Sequence, residues 1–246
     1  RMELRRMEDT MLWTAQNLMG TYHSLEAEQA AASARAKAQK HLSEKVKDQE
    51  MLGSSTSYHS QEAYQKWQSA LNEYERLKKE QERVRQELLL LTGFSPDSPV
   101  VLEKMPLPDV SRAALVNPQE DRQQALGNNY ELRSGRMGNA GSNQELYKKQ
   151  RQTELDENQM FASLETLGDQ IRSCQAEWEA ACAKEQAQRA VWQSAVRKRE
   201  QGTMAEGEYL EIYSQYMEEK GNQAQASIRF LLAMEEYDWA KKGLMD

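Results

Sequence analysis

Proline is scarce in this sequence and is confined to its middle. Four of the five prolines fall between Pro96 and Pro108, and the fifth is Pro118. Because proline interrupts α-helices, the long segments on either side are free to form unbroken helices. Aromatic residues make up only 7% of the chain and charged residues 29%, which is typical of exposed helices and coiled coils. We therefore expect narrow apolar seams between helices instead of a thick globular core.

Long apolar runs and basic stripes are also missing. No run reaches the roughly 18 apolar residues that a membrane-spanning helix requires. The basic residues are interleaved with acidic ones and the net charge is −7, which argues against binding to nucleic acid or an anionic membrane. No signal peptide is visible, but Arg1 lies inside a periodic pattern. We therefore expect a trimmed start, and the missing signal or anchor leaves the compartment open.

Catalytic and metal-binding motifs are absent from the sequence. It has no phosphate loop, nucleophile elbow or Cys-x-x-Cys pair. His23 and His41 are about 27 Å apart along a helix, so they cannot share a metal ion. Cys174 and Cys182 are about 12 Å apart on one helix, too far for a disulfide. We expect no enzymatic activity, no metal and no cofactor.

What the sequence does contain is an internal repeat with a shift of 149 residues. Gly53 aligns with Gly202, and the forty residues before each glycine align without a gap. The second segments of the two copies close with Gly93 and Gly243, one residue out of step. The aligned identical pairs include Met11 with Met160, Leu18 with Leu167, Ser24 with Ser173, Ala32 with Ala181, and Tyr64 with Tyr213. Such a repeat indicates a supersecondary unit that is used twice.

Each copy has a heptad pattern that predicts paired helices. Gly53 and Gly202 lie in short turns between the periodic segments, so each copy is expected to fold back as an antiparallel hairpin, with both turns at the same end. Gln39 and Gln188 occupy equivalent seam positions and predict a register-setting polar contact, or alternatively a polar channel lining. The seam residues that recur every seven positions are Met11, Leu18, Leu25, Ala32, Gln39 and Val46 in the first copy, and Met160, Leu167, Cys174, Ala181, Gln188 and Ala195 in the second.

The predicted fold is all-α: two long antiparallel coiled-coil hairpins that form an elongated helical bundle without a β-barrel. Residues 1–93 form the first hairpin and residues 143–246 the second. Between them, residues 94–142 form a connector rich in proline and glycine. Within it we predict one short helix over 119–133, a candidate strand at 100–102 and a flexible linker at 134–142.

The second turn carries a motif that resembles a known family. The segment from Gly202 to Leu210, Gly-Thr-Met-Ala-Glu-Gly-Glu-Tyr-Leu, resembles the hairpin-turn pattern of the TolC family of outer-membrane efflux ducts. The first turn keeps Gly53 and the small residues that follow it, but has His59 in place of the acid. Three further segments resemble the family's motifs: Glu87 to Gly93, Leu107 to Asp109, and Ala125 to Leu132, where Tyr130 replaces a proline.

The resemblance implies a TolC-like efflux or export component of the cell envelope, outside the cytoplasm, that is not an enzyme. The interval between Leu132 and Gly202 is too short to hold the family's membrane strands, so we expect a homologue without the barrel. By analogy the chain would form a homotrimer and work with a membrane-fusion or adaptor-type protein and a transporter. The residues expected to bind the adaptor are Gly53, Ser54, Ser55, Gly202, Thr203, Met204 and Glu208, with Met204 exposed.

Two other functions remain compatible with the sequence. An extended coiled-coil spacer without a conduit would need the same hairpins. A pore-forming toxin is less favoured, because it usually requires an apolar hairpin, which this sequence lacks. An adaptor gene and a transporter ATPase gene beside this one would favour export over a spacer.

Overall fold

The computed structural model describes residues 2–136 and 141–245, and it is 85% helical. The predicted all-α fold is confirmed, and no strand occurs in these two ranges. The predicted strand at 100–102 is therefore wrong. Of the predicted linker at 134–142, residues 137–140 lie outside the described residues, as do the terminal residues 1 and 246 of the two predicted hairpins. The helices are α1 (Met2–Met51), α2 (Ser57–Leu91), α3 (Val110–Ala114), α4 (Pro118–Asn128), α5 (Tyr130–Arg136), α6 (Asn143–Glu200) and α7 (Glu206–Lys242).

The helix boundaries reproduce the 149-residue repeat. Helix α1 ends at Met51 and α6 at Glu200, and their return helices begin at Ser57 and Glu206. The internal repeat of two long hairpins, predicted from the aligned glycines, is confirmed by these boundaries.

The single helix predicted over 119–133 is two helices, α4 and α5, broken at Asn129. The Asn129 side chain is buried, and its Oδ1 accepts hydrogen bonds from the backbone N–H groups of Glu131 and Leu132, both at 2.9 Å. An asparagine in this capping role favours a new helix start over continuation of the old helix. Helix α3 precedes both and is capped in the same way by Asp109.

The chain divides into two compact units. Unit 1 consists of Arg1–Asn17, Pro106–Ala176 and Arg229–Asp246, and unit 2 of Leu18–Met105 and Glu177–Ile228. Both units therefore combine residues from the two copies of the repeat. The three-part division in chain order (1–93, 94–142, 143–246) stays a prediction.

Unit 1 packs the large side chains of α6 and α7. Leu164, Ile171, Phe230, Met234 and Tyr237 are each at most 2% exposed. Burial of side chains of this size contributes about 1.5–3 kcal/mol each to folding. Met11, which the heptad pattern placed in the seam of α1, is instead 52% exposed.

Helices α3 and α4 are tied to α7 within unit 1 by polar and charged groups. The Arg112 guanidinium donates to Glu235 Oε1 at 2.7 Å and to Asp238 Oδ2 at 2.6 Å. The Tyr237 hydroxyl donates to Asp121 Oδ2 at 2.8 Å, and burial is the main reason that its pKa is raised. These contacts hold α3 and α4 against the end of the second hairpin.

Unit 2 uses small residues to bring helices close together. Ala32, Ala34, Ala36 and Ala38 of α1 are all buried. Gly221 of α7 lies so near α1 that a β-carbon there would be 3.3 Å from the Ala27 carbonyl oxygen. The alanine-rich middle of α1 therefore allows close helix packing while burying little apolar area.

Candidate functional site at the hairpin turns

The two hairpin turns lie at the same end of unit 2. Helix α1 runs antiparallel to α7, since Arg35 pairs with Glu218 at 3.1 Å and the later residue His41 packs against the earlier residue Gly207. His41 is about 18 Å before Gly53 along α1, and Gly207 is about 7 Å beyond Gly202 along the chain of α7. Both turns therefore lie beyond this contact in the same direction, about 11 Å apart in level, and their exposed residues form the candidate site.

In the first turn, Gly53 ends α1 in the left-handed conformation with a φ of 73°. Its N–H donates to the Glu50 carbonyl at 2.9 Å, and the Ser54 N–H donates to the Gln49 carbonyl at 2.8 Å. This pair of bonds is the Schellman motif, which satisfies carbonyl groups that the helix end leaves unpaired. Glycine is favoured here because a β-carbon disfavours this backbone conformation.

The second turn has the same backbone arrangement at Gly202, where φ is 70°. The N–H groups of Gly202 and Thr203 donate to the Arg199 and Lys198 carbonyls, both at 2.9 Å. The Thr203 hydroxyl also donates to the Lys198 carbonyl at 3.0 Å. The aligned Ser54 hydroxyl makes the equivalent bond to Gln49 at 3.0 Å. The sequence repeat thus extends to individual hydrogen bonds in the two turns.

The two turns differ in how the return helix begins. In the first, the Thr56 hydroxyl caps α2 by accepting from the His59 N–H at 3.4 Å. Ala205 is the aligned residue in the second turn, and its side chain has no oxygen to accept such a bond. There the Arg199 guanidinium makes a two-point ion pair with Glu206, at 2.9 and 3.0 Å, across the turn. The same guanidinium lies 4.2 Å from the centre of the Tyr209 ring.

The exposed apolar residues are on the first turn, contrary to the sequence-based expectation. Met204 is partly buried, so the prediction that it is exposed is wrong. By contrast, Met51, Leu52 and Tyr58 are 71%, 83% and 73% exposed. Sequence reasoning missed these three residues. The signal was present, because Met51 and Leu52 align with the polar residues Glu200 and Gln201 of the second copy.

Most of the other residues predicted to bind the adaptor are exposed to solvent. Gly53, Ser54, Gly202, Thr203 and Glu208 are exposed, and Ser55 is partly buried. Glu208 lies in the first turn of α7, where a carboxylate interacts favourably with the helix dipole. The first turn thus presents exposed apolar side chains and the second turn exposed charged ones.

Aromatic side chains stack in the second hairpin just behind its turn. Trp192 of α6 stacks on Tyr216 of α7, with ring centres 4.6 Å apart and an angle of 1° between the rings, and Tyr209 stacks on Tyr213 at 6.3 Å. Such pairs add about 0.5–1.5 kcal/mol beyond the area that they bury. In the first hairpin, the residues aligned with Trp192 and Tyr209 are Ser43 and Ser60.

The equivalent glutamines behave differently in the two copies. Gln188 Nε2 donates to Gln215 Oε1 of α7 at 3.3 Å, which is the kind of polar contact between helices that the sequence predicted. Gln39 Oε1 is buried and accepts no hydrogen bond from the described residues. A buried unsatisfied amide oxygen costs about 1–3 kcal/mol. The Gln188–Gln215 contact therefore has no counterpart at Gln39, and the register-setting role stays a prediction.

The described ranges contain no cluster of three His, Cys, Asp or Glu side chains arranged to hold a metal ion. Within the same ranges, none of the helices combines the length and the apolarity that are needed to cross a membrane.

Comparison with solved structures identifies the fold. The TM-score to CusC, whose crystal structures concern folding and transmembrane channel formation, is 0.64 at 12% identity, over 95% of this chain and 79% of that one. The outer-membrane channel OprN gives 0.59 at 13% identity, over 98% and 68%. The Vibrio cholerae outer membrane protein VceC gives 0.57 at 12% identity, over 96% and 70%. All three are TolC-family channels, so the predicted TolC-like fold is confirmed. No family model and no curated protein matches the sequence.

Proposed function

We propose that this chain, whose fold is TolC-like, forms the helical part of an efflux or export duct in the cell envelope and acts without catalysing a reaction. The observation that carries the proposal is the presentation of two hairpin turns at one end of unit 2, in a fold shared with outer-membrane channels. By analogy with TolC-family channels, the chain would work as a homotrimer.

In this proposal the hairpin turns dock a membrane-fusion or adaptor-type protein, which links the duct to a transporter. The predicted tip residues Gly53, Ser54, Ser55, Gly202, Thr203, Met204 and Glu208 form the backbone and polar part of the docking surface. Met51, Leu52 and Tyr58 supply the apolar part, because side chains this exposed contribute little to the chain's own packing. The Arg199–Glu206 ion pair holds the second turn in shape for the partner.

Cross-linking in the producing cells tests the docking role. A photo-reactive amino acid would replace Leu52 or Thr203 at the turns, and Lys78, an exposed residue of α2, would serve as the matched control. We expect an adaptor-type protein to be captured from positions 52 and 203 but not from position 78, and mass spectrometry would identify it. Equal capture from all three positions, or none from the turns, would contradict docking at the turns.

The main alternative is a coiled-coil spacer without a conduit, which shares the hairpins but needs no partner at the turns. A strain that lacks the gene distinguishes the two functions. A duct component predicts accumulation of an exported dye such as ethidium, reversed by the intact gene. A spacer predicts unchanged dye efflux.

A further inference from the structure

Unit 1 contains a cavity of about 310 Å³ between α1, α6 and the end of α7. Trp13 and Trp239 contribute aromatic walls, and Glu236 is the only charged side chain among the residues that line it. The volume lies at the lower end of the range for small-molecule sites, and such sites typically combine apolar walls with few polar groups. The cavity lies within unit 1 and is separate from the hairpin turns.

The Glu236 carboxylate has no partner within the described part of the chain. It is partly buried, and no hydrogen bond or ion pair joins it to another described residue. Its neighbours along α7 are in the opposite situation, because Glu235 and Asp238 both accept hydrogen bonds from Arg112. Burial raises the pKa of Glu236. A half-buried charge without a partner is unfavourable, so a cation that entered the cavity would relieve this cost.

The polar atoms around the carboxylate also favour a cation over an anion. The Ser163 hydroxyl donates to the Gln159 carbonyl at 3.2 Å, and the Thr166 hydroxyl donates to the Ala162 carbonyl at 2.9 Å. With their hydrogens engaged in this way, the two hydroxyl oxygens can offer only lone pairs to a ligand.

The Trp239 ring is already used as a cation acceptor. Its Nε1–H donates to Gln16 Oε1 at 2.6 Å, which fixes the ring, and the Lys242 ammonium lies 4.2 Å from the ring centre. Tryptophan is the aromatic side chain that attracts cations most strongly, and quaternary ammonium groups are recognised by such rings.

We propose that this cavity binds a small organic cation with an apolar body, an alkylammonium or arylammonium compound, with the Glu236 carboxylate as its counter-ion. The apolar body packs against Trp13 and Trp239, while the ammonium group faces Glu236 and the oxygens of Ser163 and Thr166. The site rests on the geometry of unit 1 alone. Ligand binding in this cavity can therefore be tested independently of adaptor docking at the turns.

The test measures binding of benzyltrimethylammonium chloride to the purified full chain by isothermal titration calorimetry at constant ionic strength. Benzyl alcohol and phenylacetate serve as neutral and anionic probes with the same ring. We expect the cation to bind at least tenfold more tightly than either. Absence of cation binding, or equal binding of benzyl alcohol, would overturn the proposal.

Two variants and one control variant assign the role of each group. Glu236→Gln keeps the side-chain shape without its charge, and we expect it to weaken binding of the cation at least tenfold. Glu154→Gln removes the same charge from an exposed position of α6 and should leave binding unchanged. Trp13→Leu should weaken binding severalfold while circular dichroism stays constant. Equal affinities of the native chain and Glu236→Gln would show that the carboxylate is not the counter-ion.

Discussion

Replacing Gly243 by alanine is expected to destabilise the protein much more than the same replacement at Gly93. The two glycines end the return helices of the two copies in the same Schellman arrangement, with φ values of 106° and 82°. Alanine in this backbone region costs roughly 1–2 kcal/mol at either position. The backbone cost is therefore similar at the two glycines, and the comparison isolates the packing around each one.

That packing differs sharply. A β-carbon at position 243 would lie 2.2 Å from the Asn128 carbonyl oxygen and 2.6 Å from its carbon, whereas one at position 93 would meet nothing within 4 Å. To relieve the clash, the end of α4 would have to move by about 1 Å. That movement threatens the hydrogen bonds from Asn128 Nδ2 to the Lys241 carbonyl and from the Tyr130 N–H to the Gly243 carbonyl.

The magnitudes then follow. Overpacking costs about 1–3 kcal/mol, and each lost hydrogen bond costs about 1 kcal/mol. We expect Gly243→Ala to lower the free energy of unfolding by about 2–4 kcal/mol more than Gly93→Ala does. Urea unfolding of both full-length variants, followed by circular dichroism at 222 nm, measures this difference. A difference below about 0.5 kcal/mol would refute the close approach of α4 to the helix end.

Three further outcomes are expected. Met204→Asp should destabilise the chain by about 1 kcal/mol or more, because Met204 is partly buried. Leu52→Asp should change the free energy of unfolding by less than about 0.5 kcal/mol, yet reduce adaptor capture. Equal melting temperatures of the two variants would contradict the assigned burial. Burial raises the pKa of Glu236, so its carboxyl group binds a proton more tightly in the folded chain than in the unfolded chain. The free energy of unfolding therefore falls as the pH rises from the ordinary pKa of a glutamate to the raised one. Glu236→Gln should therefore stabilise the chain at pH 7, by less than about 1 kcal/mol because the group is partly exposed, and the gain should vanish well below the ordinary pKa. Light scattering should show concentration-dependent self-association, and a strict monomer even after tethering to a membrane would favour the spacer.

The amino-acid sequence by itself determined where the long helices end. Gly53 and Gly202 terminate α1 and α6 at aligned positions, and the hydroxyls of Ser54 and Thr203 make the same bond to the helix end. These features depend on residues within about one helical turn, because a helix end is closed by its own last carbonyls. The repeat therefore predicted the hairpins, and the resemblance of the turn motifs implied the TolC-like fold.

The tertiary structure decided which side chains remain accessible and which charges find partners. Met204 and Leu52 both lie in turns, but the first is partly buried and the second is exposed. Glu235 and Glu236 are neighbours in the sequence, yet Arg112, more than a hundred residues away, pairs with the first and leaves the second facing a cavity. Exposure and charge pairing depend on residues that are distant in the chain. The hydrogen bonds of a helix end can be predicted from neighbouring residues, but contacts between distant residues form only once the helices have packed.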